Sequence, residues 1–196
     1  VLKPIEELFG IEQVVVATYQ ASSGGGLTGM EELRADSMRT IDGLSVLQPK
    51  RFPRNIGFNV IPQVDVFLDD GFTLEEQKMV HETKKILEKP DIKLTATAVR
   101  VPVFNCHSEA VYVEAKKKID LERLFLELEK QEEMKVYRDA AYYPTPRFNE
   151  VPDFVHVGRV RVNPENEKGV WLWIVADNLR IGAALNAYQI AEKICD

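Results

Sequence analysis

The sequence is poor in the residues that build metal centres and disulfide frameworks. Its 196 residues include two cysteines, Cys106 and Cys195, and three histidines, His81, His107 and His156. Two cysteines do not make a disulfide scaffold, and without CxxC or HxxxH spacing no metal site is expected. Positive charge is not in excess either. Lys and Arg number 25 against 31 Asp and Glu, a net charge of -6, which argues against nucleic acid, because phosphate backbones reward clustered cations. No apolar run approaches the roughly 20 residues needed to cross a bilayer, and no charged-then-apolar leader opens the sequence. No membrane partner is therefore expected, and a reducing cytoplasm is the expected location. Neither a GxGxxG nor a Walker pattern is present. What remains is ordinary globular composition, 45% hydrophobic and 29% charged, in a chain long enough for one substantial core or two small ones.

Residues 1–10 read as the last turns of a helix stopped by Gly10. A helix that is already ending at the first residue gives the expectation that the chain is part of something longer. Residues 11–18 are apolar and β-branched, as in a strand buried on both faces. A short helix is expected over 28–36, surface loop over 37–54, and a short extended piece over 58–62. The best-marked helix is 73–88: Thr73 with Glu76 is a capping box, and Met79, Thr83, Ile86 and Leu87 follow helical spacing. Strands are expected over 93–99, 109–115, 154–162 and 170–176. The last two are joined by a turn over 163–169 containing Pro164 and Gly169. Residues 120–133 form an amphipathic helix through Leu121, Leu124, Phe125 and Leu128. Residues 142–152 are proline-punctuated loop. The closing helix, 179–194, carries Ala184, Ala187, Tyr188 and Ala191 on one face. The last strand pair and the corner at Pro102 favour antiparallel neighbours. The fold class is α+β, a single domain over 1–196 with a mixed, largely antiparallel sheet and helices packed on one face.

Several polar residues carry possible chemistry. Arg100, ending an apolar strand, can hold a carboxylate in a bidentate fork that lysine cannot reproduce; the plain alternative is a structural ion pair. His107, at a strand start, suits general acid–base work, although a lone histidine is more often a satisfied polar residue. The two are seven positions apart and would face opposite ways on one unbroken strand, so a bend at Pro102 is needed to bring them together. Glu75 and Lys78 are helix-surface neighbours, suited to a substrate ammonium and an anion respectively. Spacing alone fits a solvated salt bridge better. Gln20 precedes the run Ser22-Ser23-Gly24-Gly25-Gly26, whose glycines allow close approach to a phosphate or ribose. Cys106, adjacent to His107 on a strand, points away from it and is not read as a nucleophile.

These pieces, in this order, resemble the aspartate-semialdehyde dehydrogenase family. The likeness runs from Leu2-Lys3-Pro4 to Ala191-Glu192. It is most specific in Val16-Ala17-Thr18-Tyr19-Gln20-Ala21-Ser22-Ser23-Gly24, in Phe58-Asn59-Val60-Ile61-Pro62-Gln63 and in the helix from Glu75 to Ile86. It is equally specific from Arg100-Val101-Pro102-Val103 to His107-Ser108-Glu109, and from Ala176-Asp177-Asn178-Leu179-Arg180 to Ala184. The resemblance implies NADP-dependent reductive dephosphorylation of β-aspartyl phosphate to aspartate semialdehyde, for lysine, methionine and threonine synthesis. It implies that Gln20 contacts substrate and active-site groups, that Glu75 and Arg100 bind the substrate's amino and carboxylate ends, and that Lys78 holds phosphate. His107 is the implied acid/base. Ser23 and Gly24 approach the cofactor, and Asn178 offers an amide to its nicotinamide end. The implied fold is the C-terminal domain shared with glyceraldehyde-3-phosphate dehydrogenase, whose sheet also builds a homodimer.

The family's nucleotide-binding domain with its GxxGxxG loop, and its Asn-Cys nucleophile, have no counterpart in these residues, so the isolated chain is expected to be inactive. Two alternatives follow. One is a non-catalytic paralogue or free-standing dimerisation module. The other is a sister enzyme acting on N-acetyl-glutamyl phosphate, against which the Glu75 and Lys78 pair argues.

Overall fold

The computed structural model describes residues 1–147 and 152–195. Helix α1 (Leu2–Phe9) ends at Gly10, whose φ of 67° suits glycine, and whose amide returns to the Glu6 carbonyl. The chain then enters β1 (Ile11–Gln20), passes a 3₁₀ turn (Ser22–Gly25) and continues into α2 (Gly26–Ile41). After a long excursion come α3 (Leu74–Ile86), β2 (Lys93–Arg100), β3 (His107–Ala115), α4 (Leu121–Glu129) and β4 (Met134–Val136). The chain finishes with β5 (Val155–Asn163), β6 (Asn166–Ala176), a widened helical turn (Arg180–Ala184) and α5 (Leu185–Cys195).

Six strands form one sheet in the order β2-β1-β3-β6-β5-β4. The β1/β2 and β4/β5 pairs are parallel and the other three antiparallel. This is the expected mixed, largely antiparallel α+β sheet. The corner at Pro102 does not join antiparallel neighbours, however: β2 and β3 flank β1, and the 101–106 link crosses over its end. Ser22 and Ser23 donate to the Val103 and Phe104 carbonyls at 2.7 and 3.0 Å, tying that crossing down.

One face of the sheet carries the core. Val14 and Val16, Ala96, Val111 and Val113, Val157, and Leu172 and Ile174 pack under Ile5 and Phe9 of α1 and Leu124 and Leu128 of α4. The expectation that β1 is buried on both faces is overturned. Its exposure alternates, with Val14 at 1% and Val15 at 36%, because among the described residues no helix covers the second face. That face presents aromatic pairs instead, Tyr19 with Trp173 at 5.7 Å between centroids and Tyr112 with Trp171 at 5.1 Å.

Other boundaries also move. Helix α2 runs on through residues expected to be loop, because 37–41 complete its last turn. Helix α4 stops at Glu129, short of the expected 133, and residues 134–136, assigned to no element from sequence, form β4, since pairing with 155–157 satisfies their backbone. The turn expected over 163–169 shrinks to Pro164-Glu165, with Asn163 paired to Asn166. Ile86, placed by spacing on the apolar face of α3, is 76% exposed. Tyr188 and Ala184 of the closing segment lie exposed, so its small-residue face is not packed. Of the expected 142–152 loop, residues 148–151 lie outside the described residues.

Candidate functional site

The strand directions assemble the site. Because β2 runs parallel to β1 and β3 antiparallel, the carboxyl ends of β1 and β2 and the amino end of β3 meet at one edge. Gln20 continues the core face of β1 beyond Val14 and Val16, Arg100 that of β2 beyond Ala96 and Ala98, and His107 that of β3 ahead of Val111 and Val113. The apolar stripe of the sheet thus ends in three polar groups. The amino-terminal turn of α3 adds Glu75 and Lys78. All five line one cavity of about 640 Å³, together with Gly24, Gly25, Arg51, Phe52, Gln63 and Asp65.

Arg100 is 8% exposed. Its backbone is held on both sides, by pairing with Gln20 and by two bonds exchanged with Ile61 at 2.9 and 2.8 Å. One terminal nitrogen donates to the Ala21 carbonyl at 2.6 Å, and the guanidinium lies over the Phe52 ring at 5.7 Å. Burial lowers its pKa, the field of Glu75 opposes that shift, and Arg51 adds to it. Gly24 explains itself here: a Cβ on it would sit 2.8 Å from an Arg100 terminal nitrogen. The residue that approaches this part of the glycine run so closely is the protein's own arginine.

His107 follows Cys106, whose φ of 67° turns the chain into β3. Cys106 itself is buried and does not line the cavity. The buried amide of Ala21 donates to His107 Nδ1 at 3.2 Å, so the hydrogen of the neutral ring resides on Nε2. Burial first, then the charge of Arg100, pushes the His107 pKa down to about 4, with Asp177 opposing. At neutral pH the ring is uncharged, with its hydrogen on Nε2.

Gln20 Nε2 donates to Glu75 Oε1 at 3.0 Å. Lys78 Nζ lies 3.8 Å from Glu75 Oε2 and 3.3 Å from Asp65 Oδ2. The Glu75–Lys78 pair is therefore not simply a solvated bridge, because both members are drawn toward the cavity by partners from other elements. Ser23 and Asn178 lie apart from these five. The Ser23 hydroxyl is 3.3 Å from Asn105 Oδ1 and 3.1 Å from Asn178 Oδ1, while Asn105 Nδ2 donates to Asp177 at 2.8 Å. This network pins the end of β6 to the glycine-rich turn.

Sequence reasoning missed Arg51, Asp65 and Glu76. The first two sit in irregular segments that carry no period. Glu76 was visible only as a capping residue; its carboxylate accepts from Thr73 N at 2.7 Å and also from Ala98 N on the edge strand β2 at 2.8 Å.

Known proteins resemble this chain in sequence and fold. The family model described as semialdehyde dehydrogenase, dimerisation domain, matches residues 2–181. Aspartate-semialdehyde dehydrogenase 2 of Vibrio cholerae is 45% identical over 193 residues, 98% of this chain and 57% of that protein. The Aquifex aeolicus aspartate-semialdehyde dehydrogenase is 44% identical over 201 residues, with the same coverage of each chain. The chain thus spans about 57% of the length of the curated relatives it matches. Among solved structures, aspartate semialdehyde dehydrogenase II complexed with ASA from Vibrio cholerae superposes with a TM-score of 0.93 at 46% identity, covering 97% of this chain and 56% of that one. The Candida albicans aspartate semialdehyde dehydrogenase with NADP gives a TM-score of 0.70 at 24% identity, covering 97% and 52%, a likeness of fold.

Proposed function

The chain belongs to the semialdehyde dehydrogenase dimerisation-domain family, and from that premise we propose that it is the substrate-binding and dimerisation part of an aspartate-semialdehyde dehydrogenase. The reaction is reduction of β-aspartyl phosphate to aspartate semialdehyde and inorganic phosphate, in the cytoplasm and on the route to lysine, methionine and threonine. One observation carries this reading: Gln20, Glu75, Lys78, Arg100 and His107, contributed by four separate elements, line a single cavity.

The chemistry of that cavity suits a small amino acid bearing an acyl phosphate. Arg100 grips the α-carboxylate, with the edge of its guanidinium not bound to Ala21. Glu75, already an acceptor for Gln20, receives the substrate ammonium. Lys78 meets the phosphate. His107 offers its Nε2 hydrogen to the acyl oxygen as negative charge builds there, in a pocket sheltered enough to keep the ring neutral. Gln20 orients the acyl group beside it.

A nicotinamide cofactor of the NADP class supplies hydride when bound. Asn178, half-buried with its oxygen toward Ser23, and the exposed backbone of Gly24, whose side-chain position Arg100 already fills, would hold its carboxamide end. The attacking thiol comes from sequence outside these residues, so the chain alone is inactive. The aromatic face of the sheet joins two copies in a homodimer.

The test is turnover of the intact protein with aspartate semialdehyde, phosphate and NADP, beside N-acetyl-glutamate semialdehyde as a rival substrate. Preference for the aspartyl compound is expected. Preference for the acetylated one, or turnover of neither, overturns the reading.

A further inference from the structure

Arg51 is the feature of the cavity left without a role, and its placement is built rather than incidental. The Glu32 carboxylate gathers three successive backbone amides of the 50–52 turn, from Lys50 at 2.9 Å, Arg51 at 2.8 Å and Phe52 at 3.2 Å. Phe52 is 7% exposed and packs with Leu33, Ile56 and Ile61 while lying against the Arg100 guanidinium. With its neighbour so anchored, Arg51 is turned onto the glycine-rich run, where its Nε donates to the Gly25 carbonyl at 3.0 Å. A Cβ on Gly25 would meet Arg51 Cγ at 3.2 Å and Nε at 3.3 Å, as one on Gly24 would meet Arg100. Two successive glycines therefore seat two guanidinium groups, and both groups line the cavity.

Such a juxtaposition is unfavourable in an empty site. The positive field of Arg51 helps lower the pKa of Arg100, so the two repel. Among the described residues no carboxylate lies within ion-pair reach of the Arg51 guanidinium. The nearby acids are engaged elsewhere, Asp65 with Lys78 and Glu75 with Gln20 and Lys78. With His107 neutral, the cavity holds three cations, Arg51, Lys78 and Arg100, against two carboxylates. Held cations of one sign around an open pocket favour an anion, and planar guanidinium groups favour one whose oxygens accept several parallel bonds.

We propose that Arg51 is a further anion-binding residue of this site, gripping a phosphate-class oxyanion together with Lys78, beside the Arg100 that takes the carboxylate. The assignment of that anion to the phosphate of the substrate, rather than to a phosphate of the nucleotide, rests on the function proposed above. Arg51 Nε stays on the Gly25 carbonyl while the two terminal NH₂ groups point the charge at the ligand.

Arg51→Gln and Arg51→Lys in the intact protein separate the outcomes. Calorimetric titration with inorganic phosphate is expected to show binding weakened about tenfold or more in Arg51→Gln, and partly recovered in Arg51→Lys, which restores charge but not the fork. In steady state the KM for phosphate is expected to rise by a similar factor, with kcat within about twofold and the KM for NADP unchanged. Unchanged phosphate affinity in an Arg51→Gln protein of wild-type melting temperature overturns the proposal. A rise confined to the KM for NADP overturns it too, by giving the guanidinium to the nucleotide. Because the titration needs no turnover, an intact protein inactive on aspartate semialdehyde would defeat the function proposed above and still leave the Arg51 site decided on its own.

Discussion

Arg100 is held from three directions, and each constrains its plane: the Ala21 carbonyl at one terminal nitrogen, the Phe52 ring across its face, Gly24 along its edge. An ammonium has neither plane nor fork. Arg100→Lys in the intact enzyme is therefore expected to lower kcat/KM by an amount equivalent to about 2–4 kcal/mol of transition-state stabilisation, read by steady-state kinetics; wild-type kcat/KM would remove the clamp role. His107 carries a pH dependence whose sign follows from its lowered pKa. The unfolded chain takes up a proton near pH 6.5 and the folded one only near 4, so this histidine's contribution to stability is complete above about pH 6.5 and is lost as pH falls toward 4. The full effect amounts to about 3 kcal/mol. Urea unfolding at pH 7.5 and 4.5 checks it: His107→Asn, also expected to lose most activity while staying folded, should lose less stability over that interval than the wild type. Equal losses would place His107 in a solvated setting. Both residue types were legible in sequence as candidates. Their facing was not, because a seven-residue separation says nothing about a link that crosses a third strand.

Helix α3 shows how an element-level signal can be right about position and incomplete about purpose. The capping box fixed its start, and Thr73 accepts from Glu76 N while Glu76 returns to Thr73 N. The same carboxylate closes the open edge of β2 at Ala98, which locks the helix to the sheet and sets Glu75 and Lys78 over the strand ends. Glu76→Gln keeps the volume but turns an amide donor toward one of two buried N–H groups. A loss of about 2–4 kcal/mol in unfolding free energy is expected, with faster hydrogen exchange at the Ala98 amide; a neutral substitution would mean that the edge is held by other contacts. The helical period also promised burial of Ile86, and that failed, because amphipathic spacing marks a face without supplying what covers it. Of the 37–54 segment, expected as surface loop, only 37–41 are helical, while 42–54 are irregular and mostly exposed; what the sequence did not show is how that loop is held. Its order comes from Glu32 and from the pocket of Leu33, Ile56 and Ile61, contacts distant in sequence that leave no local pattern.

At the scale of the molecule, one side of the sheet is covered by helices and the other shows Tyr19, Tyr112, Trp171 and Trp173, with Arg161 stacked over Trp171 at 5.7 Å. β1 serves both sides: Gln20 faces the cavity and Tyr19 the aromatic surface. These half-buried aromatics form the face proposed above to join two copies. If that face joins the copies, Trp173→Glu, which removes the large apolar ring and sets a carboxylate beside Arg159 and Arg161, is expected to shift the protein from dimer to monomer in sedimentation velocity. A dimer of undiminished strength would move the interface elsewhere. The sequence by itself determined the element types, the mixed sheet and the polar residues worth watching, since caps, alternation and charge are local properties of the chain. Tertiary structure alone decided that β2 and β3 flank β1, that their ends share one cavity, and that a loop arginine enters it. Strand order is settled by which apolar faces can be buried together, and that sum is taken over the whole fold.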